Sequence, residues 1–310
     1  MKKFIAGLVL GLIIGVIAAF GVLMTLASHL AKPKLVDLAL PGKPFQNAGG
    51  LTGFLEQRPY EVGFFAKNLG TGKTVERFAD RPVCLASIVK IFCLTELYRQ
   101  KHEKALDLNQ KINVPKHGSI PLAEAAALMI GQSDNEATQA LAGFLGRGNV
   151  NRIPSLLHIS AMSDDILPEE KILRQTLDKR IFGERIAPAG LPQHGTAKGI
   201  AEYFDLLIHK QVISEAVSTE LIDFFAEHPM PFSVHYAGRY EFAGKGGNIL
   251  WTRPPKHYSM MGWGLLLKKQ SGDYISLCIW GEWFPANMPP ESQSEFLKFI
   301  TDCVISIVES

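Results

Sequence analysis

The segment Cys84-Leu-Ala-Ser-Ile-Val-Lys-Ile-Phe-Cys93 constrains the fold more than any other stretch of the chain. Leu85, Ile88, Val89, Ile91, Phe92, Leu94 and Leu97 put apolar side chains all round a helix, and such a helix must be buried on every side. Other elements have to wrap it. Within it Ser87 and Lys90 stand three residues apart, a spacing that places both on one helical face. A charged ammonium is costly there, so burial should lower the lysine pKa towards a neutral amine. A neutral amine beside a hydroxyl is a general base beside a nucleophile. The bare Ser-x-x-Lys pattern also arises by chance in a chain of 310 residues, so its meaning depends on partners elsewhere.

The rest of the chain indicates what does the wrapping. Glu61–Asn68 and a second run, Thr74 to Ala79, flank the glycine-rich turn Leu69-Gly-Thr-Gly-Lys73 and read as a strand hairpin. After the Ser87 helix, Leu106 to Pro121 is polar and broken. Leu122 to Ile130 is a helix of strong formers that stops at Gly131, and Ala137 to Leu145 is a second one. Thr196 to His209 and Glu215 to Glu227 are helical by periodicity. Arg239 to Gly247, Ser259 to Lys268 and Tyr274 to Trp283 are strand-like, and Glu291 to Val308 closes the chain as a helix. Strands at both ends of the sequence with helices between them predict an α+β fold. Its antiparallel five-stranded sheet would be flanked by terminal helices and carry an inserted all-helical lobe. The Ser87 helix would then lie between sheet and lobe, where ligand clefts form.

The net charge of +2 gives no polyanion-binding surface, so nucleic acid is not an expected partner. The 47% of hydrophobic residues includes an uncharged run from Phe4 to Ala27 behind Lys2 and Lys3. That run is long enough to span a bilayer, and the lysines predict a cytoplasmic N-terminus with the remainder exported. A signal cleaved after Thr25-Leu26-Ala27 is the competing reading. Residues 28–50, with Pro33, Pro41 and Pro44, read as a linker, and 51–310 as the folded domain.

Two further motifs supply partners for Ser87. Ser133-Asp134-Asn135 falls in the break between two helices, and Lys245-Gly246-Gly247 lies on the first late strand, where glycines let a ligand backbone approach. Either triplet alone is ordinary cap or turn composition. Their conjunction with Ser87 and Lys90, in this order and on these elements, resembles the penicillin-recognising serine hydrolases. These comprise the class A β-lactamases and the D,D-peptidases of the same fold, for which this motif set is a known signature. The resemblance runs from about Gly50 to the C-terminus.

It implies that Ser87 is the nucleophile and that Lys90 helps to take its proton. Ser133 would relay a proton to the leaving nitrogen, and Asn135 would hold the substrate's side-chain amide. Lys245 would face the substrate carboxylate, and the backbone N–H groups of Ser87 and Asn248 would form the oxyanion hole. The expected substrate is a β-lactam or a D-Ala-D-Ala-type peptide, with no cofactor and no metal. The nine histidines include no His-x-His or His-x₃-His pair of the kind zinc hydrolases use.

Two departures qualify the resemblance. Gly246 stands where the third motif carries a hydroxyl, removing one hydrogen bond to the substrate carboxylate, worth about 1.5–3 kcal/mol. Arg253 is a candidate compensator. Glu170-Lys-Ile-Leu173 fits the family's Glu-x-x-Leu, which implies Glu170 as the base that activates the deacylating water, but Arg174 replaces an expected asparagine. Glu169 is an equally near candidate, and both acids also read as the start of a solvated helix. The resulting expectation is an exported serine hydrolase of class A β-lactamase type; a D,D-carboxypeptidase and a non-turnover cell-wall-binding module are the alternatives. Cys84, Cys93, Cys278 and Cys303 read as buried thiols, with a Cys278–Cys303 bridge as the other option. Cys84 and Cys93, nine residues apart on one helix, would be about 13 Å apart, too far to bridge.

Overall fold

Three long strands form the last third of the chain, and the early hairpin pairs onto them. The computed structural model describes residues 45–58, 61–159, 161–169, 172–175, 177, 193–229, 236, 238–253, 256–283 and 290–310. All belong to one compact unit, Gly42–Ser310. In chain order the elements begin with helix α1 (Ala48–Glu56), strands β1 (Glu61–Asn68), β2 (Thr74–Arg77) and β3 (Val83–Cys84), and a 3₁₀ turn (Ala86–Val89). The turn runs directly into α2 (Lys90–Lys104). Strands β4 (Lys111–Val114) and β5 (Gly118–Pro121) then lead to the helices α3 (Leu122–Gly131), α4 (Asn135–Leu145), α5 (Arg147–Asn151) and α6 (Ile153–Leu156). The chain continues through β6 (His194–Gly195), α7 (Ala197–Ile208), α8 (Glu215–Glu227), β7 (Tyr240–Arg253), β8 (Lys256–Lys269), β9 (Tyr274–Trp283) and α9 (Pro290–Glu309).

The sheet is five-stranded and antiparallel, in the order β2-β1-β9-β8-β7. Its inner strand β9 is buried on both faces, and therefore reads as a nearly unbroken apolar run rather than an alternation. Neighbouring residues of β8 show what covers each face. Trp263 donates its indole N–H to Thr301 Oγ1 of α9 at 3.1 Å. At Gly264 an added Cβ would lie 2.4 Å from Ile200 Cγ2 of α7. Successive strand residues point to opposite faces, so α9 covers one face and α7 the other. The α9 side is closed further by α1, whose Phe54 stacks on Phe296 with ring centroids 6.4 Å apart.

The wrapped helix is α2. Leu85, Ile88, Val89, Ile91, Phe92, Leu94 and Leu97 are all fully buried. Some of its polar residues are internal too: the buried Glu96 carboxylate accepts from Arg99 at 2.7 and 2.8 Å and from Gln100 Nε2 at 2.6 Å. A buried charge is tolerated only when satisfied in this way. The helix ends at Ala105, a left-handed C-cap, with Lys101, His102 and Lys104 complementing the dipole of the last turn.

The sequence-based expectation differs from the structure in four places. Ser87 sits on the 3₁₀ turn ahead of α2 rather than on the helix itself. The polar stretch after α2 contains the β4–β5 hairpin, whose four-residue strands are too short to establish a period. β7 and β8 extend past the expected ends, to the pair Arg253↔Lys256. Chain order continues to α1 across position 50, with Phe45 already packed on Phe54 at 5.2 Å. All four cysteines are free and buried. Among the described residues no helix is long and apolar enough to cross a membrane; the Phe4–Ala27 run lies outside the described residues.

Candidate active site

Ser87 is positioned by backbone on both sides. Leu85 N–H donates to Gln193 O at 2.9 Å, and β3 pairs with β6 through Val83↔Gly195 and Cys84↔His194. Ala86 then takes φ +49°, a left-handed conformation that costs a non-glycine residue roughly 1–3 kcal/mol and persists only where its surroundings enforce it. The enforcing surface is β7: a Cβ at Gly247 would stand 2.7 Å from Leu85 O and 2.8 Å from Ser87 N. No side chain fits there, so β7 lies directly against the turn that carries Ser87.

The Ser133-Asp134-Asn135 triplet reaches the same place from the other lobe. Ser133 has φ +57°, and Asp134 caps α4 by accepting the Ala137 N–H at 2.8 Å. The β4–β5 turn secures it: His117 Nε2 is 3.0 Å from Asp134 Oδ2, and Lys116 Nζ is 2.7 Å from Glu136 Oε1. Desolvation would raise the Asp134 pKa, but the Ala137 N–H and His117 outweigh it and hold the carboxyl below its usual range.

Two lysines meet at Ser133. Lys90 Nζ donates to Ser133 O at 2.6 Å and Asn135 Oδ1 at 2.8 Å, with Ser133 Oγ at 3.3 Å. Lys245 Nζ donates to Ser133 Oγ at 3.0 Å and Gly246 O at 2.8 Å. Both are buried, at 3% and 0% exposure, and burial disfavours the ammonium form. Desolvation lowers the Lys90 pKa to about 8 against a partial offset from Asp134. Desolvation, reinforced by the charge of Lys90, lowers that of Lys245 to about 7. Among the described residues the hydrogen bonds of Lys90 run to Ser133, Asp134 O and Asn135, not to Ser87 Oγ. Ser133 Oγ thus joins the two lysines, accepting from Lys90 and from Lys245.

Ser87, Lys90, Asn135 and Asn248 all line one cavity of about 680 Å³. This volume suits a small organic substrate. Gly246 is buried in β7, and its missing hydroxyl leaves no donor at that position. Glu169 is exposed and does not line the cavity. Glu170 lies outside the described residues, as does the side chain of Arg253. Asn113 of β4, Gln139 of α4 and Arg174, which were not singled out as binding residues by sequence, also line the cavity, together with Trp251. Asn113 lies on β4, a strand of four residues too short to declare itself in the sequence. Among the described residues no group of three or more His, Cys, Asp or Glu is placed to hold a metal ion.

The comparisons with known proteins agree with this geometry. The structure resembles TLA-1 extended-spectrum β-lactamase with a TM-score of 0.68 at 11% identity, covering 84% of this chain and 98% of that one. It resembles a β-lactamase from Sphaerobacter thermophilus with a TM-score of 0.66 at 17% identity, over 83% and 95% of the two chains. It also resembles PBP-A, at TM-score 0.65 and 15% identity over 86% and 98%. At these identities the likeness establishes the fold. No curated protein matches the sequence at a significant level. Residues 50–249, however, match the model of the β-lactamase enzyme family, and the chain belongs to that family.

Proposed function

We propose that this protein is an exported, membrane-anchored serine hydrolase that opens β-lactam amides through an acyl-enzyme on Ser87. The observation that carries the proposal is the hydrogen-bonded set Lys90–Ser133–Lys245, whose Lys90 lines the cavity together with Ser87. A neutral Lys90 takes the Ser87 proton, by way of Ser133 or directly after a small movement, as Oγ attacks the amide carbonyl. The backbone N–H groups of Ser87 and Asn248 receive the developing oxyanion. Ser133, supplied by Lys245, delivers a proton to the leaving nitrogen, while Asn135 and the charged form of Lys245 orient the substrate. Glu170 then activates water to hydrolyse the Ser87 ester. Anchoring and export rest on the uncharged run Phe4–Ala27 behind Lys2 and Lys3.

A D,D-peptidase is the second reading, favoured by the similarity to PBP-A, a related structure of which is an acyl-enzyme complex with penicillin G. Arg174 in place of an asparagine beside Glu170 points the same way, because it alters the surroundings of the deacylating water. Incubation with a fluorescent penicillin, followed over time by intact mass, separates the readings. A mass increase at Ser87 that decays within minutes supports the β-lactamase. A stable adduct, with D-alanine released from a cell-wall peptide, supports the peptidase, and no adduct refutes both.

A further inference from the structure

The tip of the β4–β5 hairpin touches the helix that follows Ser133, and the proposed acylation gives that contact no part. The run Val114-Pro-Lys-His-Gly118 specifies the tip closely. Pro115 brings the fixed φ favoured at the second position of a four-residue turn, which His117 N–H closes by donating to Val114 O at 2.9 Å. Gly118 follows at φ +70°, paired with Val114, and supplies the left-handed residue that completes a three-residue hairpin loop. The turn is therefore set by its own sequence, and it carries Lys116 and His117 to the start of α4.

The two residues are not equivalent there. The Lys116 side chain is 73% exposed, so water screens its pairing with Glu136, and Glu136 also accepts the Lys116 backbone N–H at 2.9 Å. His117 is 30% exposed and its partner Asp134 20%. Asp134 Oδ1 accepts the Ala137 N–H at 2.8 Å, and Oδ2 lies 3.0 Å from His117 Nε2. An ionised carboxylate only accepts, so Nε2 carries the proton. With both oxygens engaged, the carboxylate has one orientation, and the residue before it is constrained in turn. That residue is Ser133, at φ +57°, a backbone conformation that persists only where its surroundings enforce it. It stands ahead of α4, yet its Oγ lies 3.0 Å from Lys245 Nζ and 3.3 Å from Lys90 Nζ.

We propose that His117 is a positioning residue: through Asp134 it holds the Ser133 hydroxyl in hydrogen-bond reach of both lysines. The consequence for rate rests on the reading of Ser133 as proton donor to the leaving nitrogen; the positioning itself does not.

His117→Gln and His117→Asn carry the same amide at two lengths, and so separate reach from stability. The glutamine amide nitrogen stands where Nε2 does and keeps the bond, whereas the asparagine amide is one methylene too short. Acylation of the full-length protein by penicillin G, followed by intact mass, should stay within about threefold of the unmodified rate in His117→Gln. In His117→Asn it should fall about tenfold or more, since a misplacement of about 1 Å costs on the order of 10²-fold. A crystal structure of His117→Asn should show Ser133 Oγ more than about 3.5 Å from Lys245 Nζ, outside hydrogen-bond range. Lys116→Ala should acylate within about twofold of the unmodified protein. Equal rates in His117→Gln and His117→Asn, an unchanged Ser133–Lys245 distance, or a loss in Lys116→Ala as large as in His117→Asn would overturn the role of His117. A protein that penicillin G does not acylate sinks the Ser87 mechanism, and the crystallographic distance then decides the positioning alone.

Discussion

The floor of the cavity and the loop wall beside it are built on different terms. At the floor, Lys90 and Lys245 are at most 3% exposed, and their hydrogen bonds among the described residues run to the Ser133–Asn135 triplet and to the β7 backbone. On the loop, Glu169, Ile172 and Arg174 are exposed, and the Arg174 guanidinium lies over the Trp251 ring. Packing fixes the floor, so its chemistry cannot vary without refolding its surroundings. The wall can change its residues at little cost in stability, and it carries one of the chain's two departures from the family's pattern, Arg174; the other, Gly246, lies on β7. Acylation should therefore be the robust half of the reaction, with deacylation and selectivity the adjustable half.

The largest effect should come from the floor. Ser87→Ala should reduce covalent labelling by penicillin about 10⁴-fold or more. The thermal melt should barely move, since Ser87 Oγ makes no hydrogen bond among the described residues. Labelling that survives in this variant would break the comparison outright. Next comes the wall: Glu170→Gln should slow hydrolysis of the acyl-enzyme by about 10²–10⁴-fold, the usual worth of a general base, while leaving acylation largely intact. Intact mass would show a trapped adduct. Loss of acylation instead would place Glu170 on the floor's side of the chemistry.

Gly247→Ala probes how tightly the floor is packed. Its Cβ would meet the Leu85 and Ser87 backbone at under 3.0 Å, so either β7 or the nucleophile turn must shift. A displacement near 1 Å should cost about 10²-fold in acylation, and the overpacking about 1–3 kcal/mol by urea melt. Acylation at the wild-type rate would show that the contact is slack.

Legibility divides along the same line. Ser87–Lys90, Ser133–Asn135 and Lys245–Gly247 could be read from sequence because each is a short motif whose spacing is a consequence of its own element. The central burial of α2 was equally plain in the apolar residues around Ser87. The Arg174–Trp251 stack was not, since a loop residue and a strand residue far apart in sequence carry no mutual period. Nor was the clamp of His117 and Lys116 on Asp134 and Glu136, which depends on a hairpin of four-residue strands. Gly247 was expected to make room for a ligand backbone; the structure shows that it also makes room for the backbone of the nucleophile turn.

The pH response should be of order tenfold per unit. Acylation needs Lys90 neutral and Lys245 charged, and the pair titrates near about 8 and about 7. The rate should peak between those values and fall on both sides; Lys245→Met should remove the alkaline limb. The same groups affect stability. Their folded pKa values lie below the ordinary lysine value of 10.5, so from about 7 upwards the unfolded chain binds more protons than the folded one. Stability should accordingly rise with pH across that window and be flat in this contribution below it. Urea midpoints at pH 6 and pH 9 check the sign, and a smaller rise in Lys245→Met would assign it.

The smallest effect should be that of Glu169→Gln, and it sharpens the comparison because Glu169 adjoins the residue proposed as the base. Its backbone carbonyl accepts the N–H groups of Ile172 and Leu173 at 3.0 and 3.2 Å, so it opens the helical turn that brings Leu173 and Arg174 to the cavity. Its side chain is exposed and does not line that cavity. A solvated carboxylate there neither reaches the ester water nor supports the fold, and removing such a surface charge usually changes stability by less than about 0.5 kcal/mol. The steady-state rate and the pre-steady-state burst should both stay within about twofold of the unmodified protein. If Glu169→Gln rather than Glu170→Gln traps the acyl-enzyme, the loop presents its acids in a different register. If neither does, hydrolysis on this wall runs without a carboxylate base, and the peptidase reading gains the ground that the β-lactamase loses.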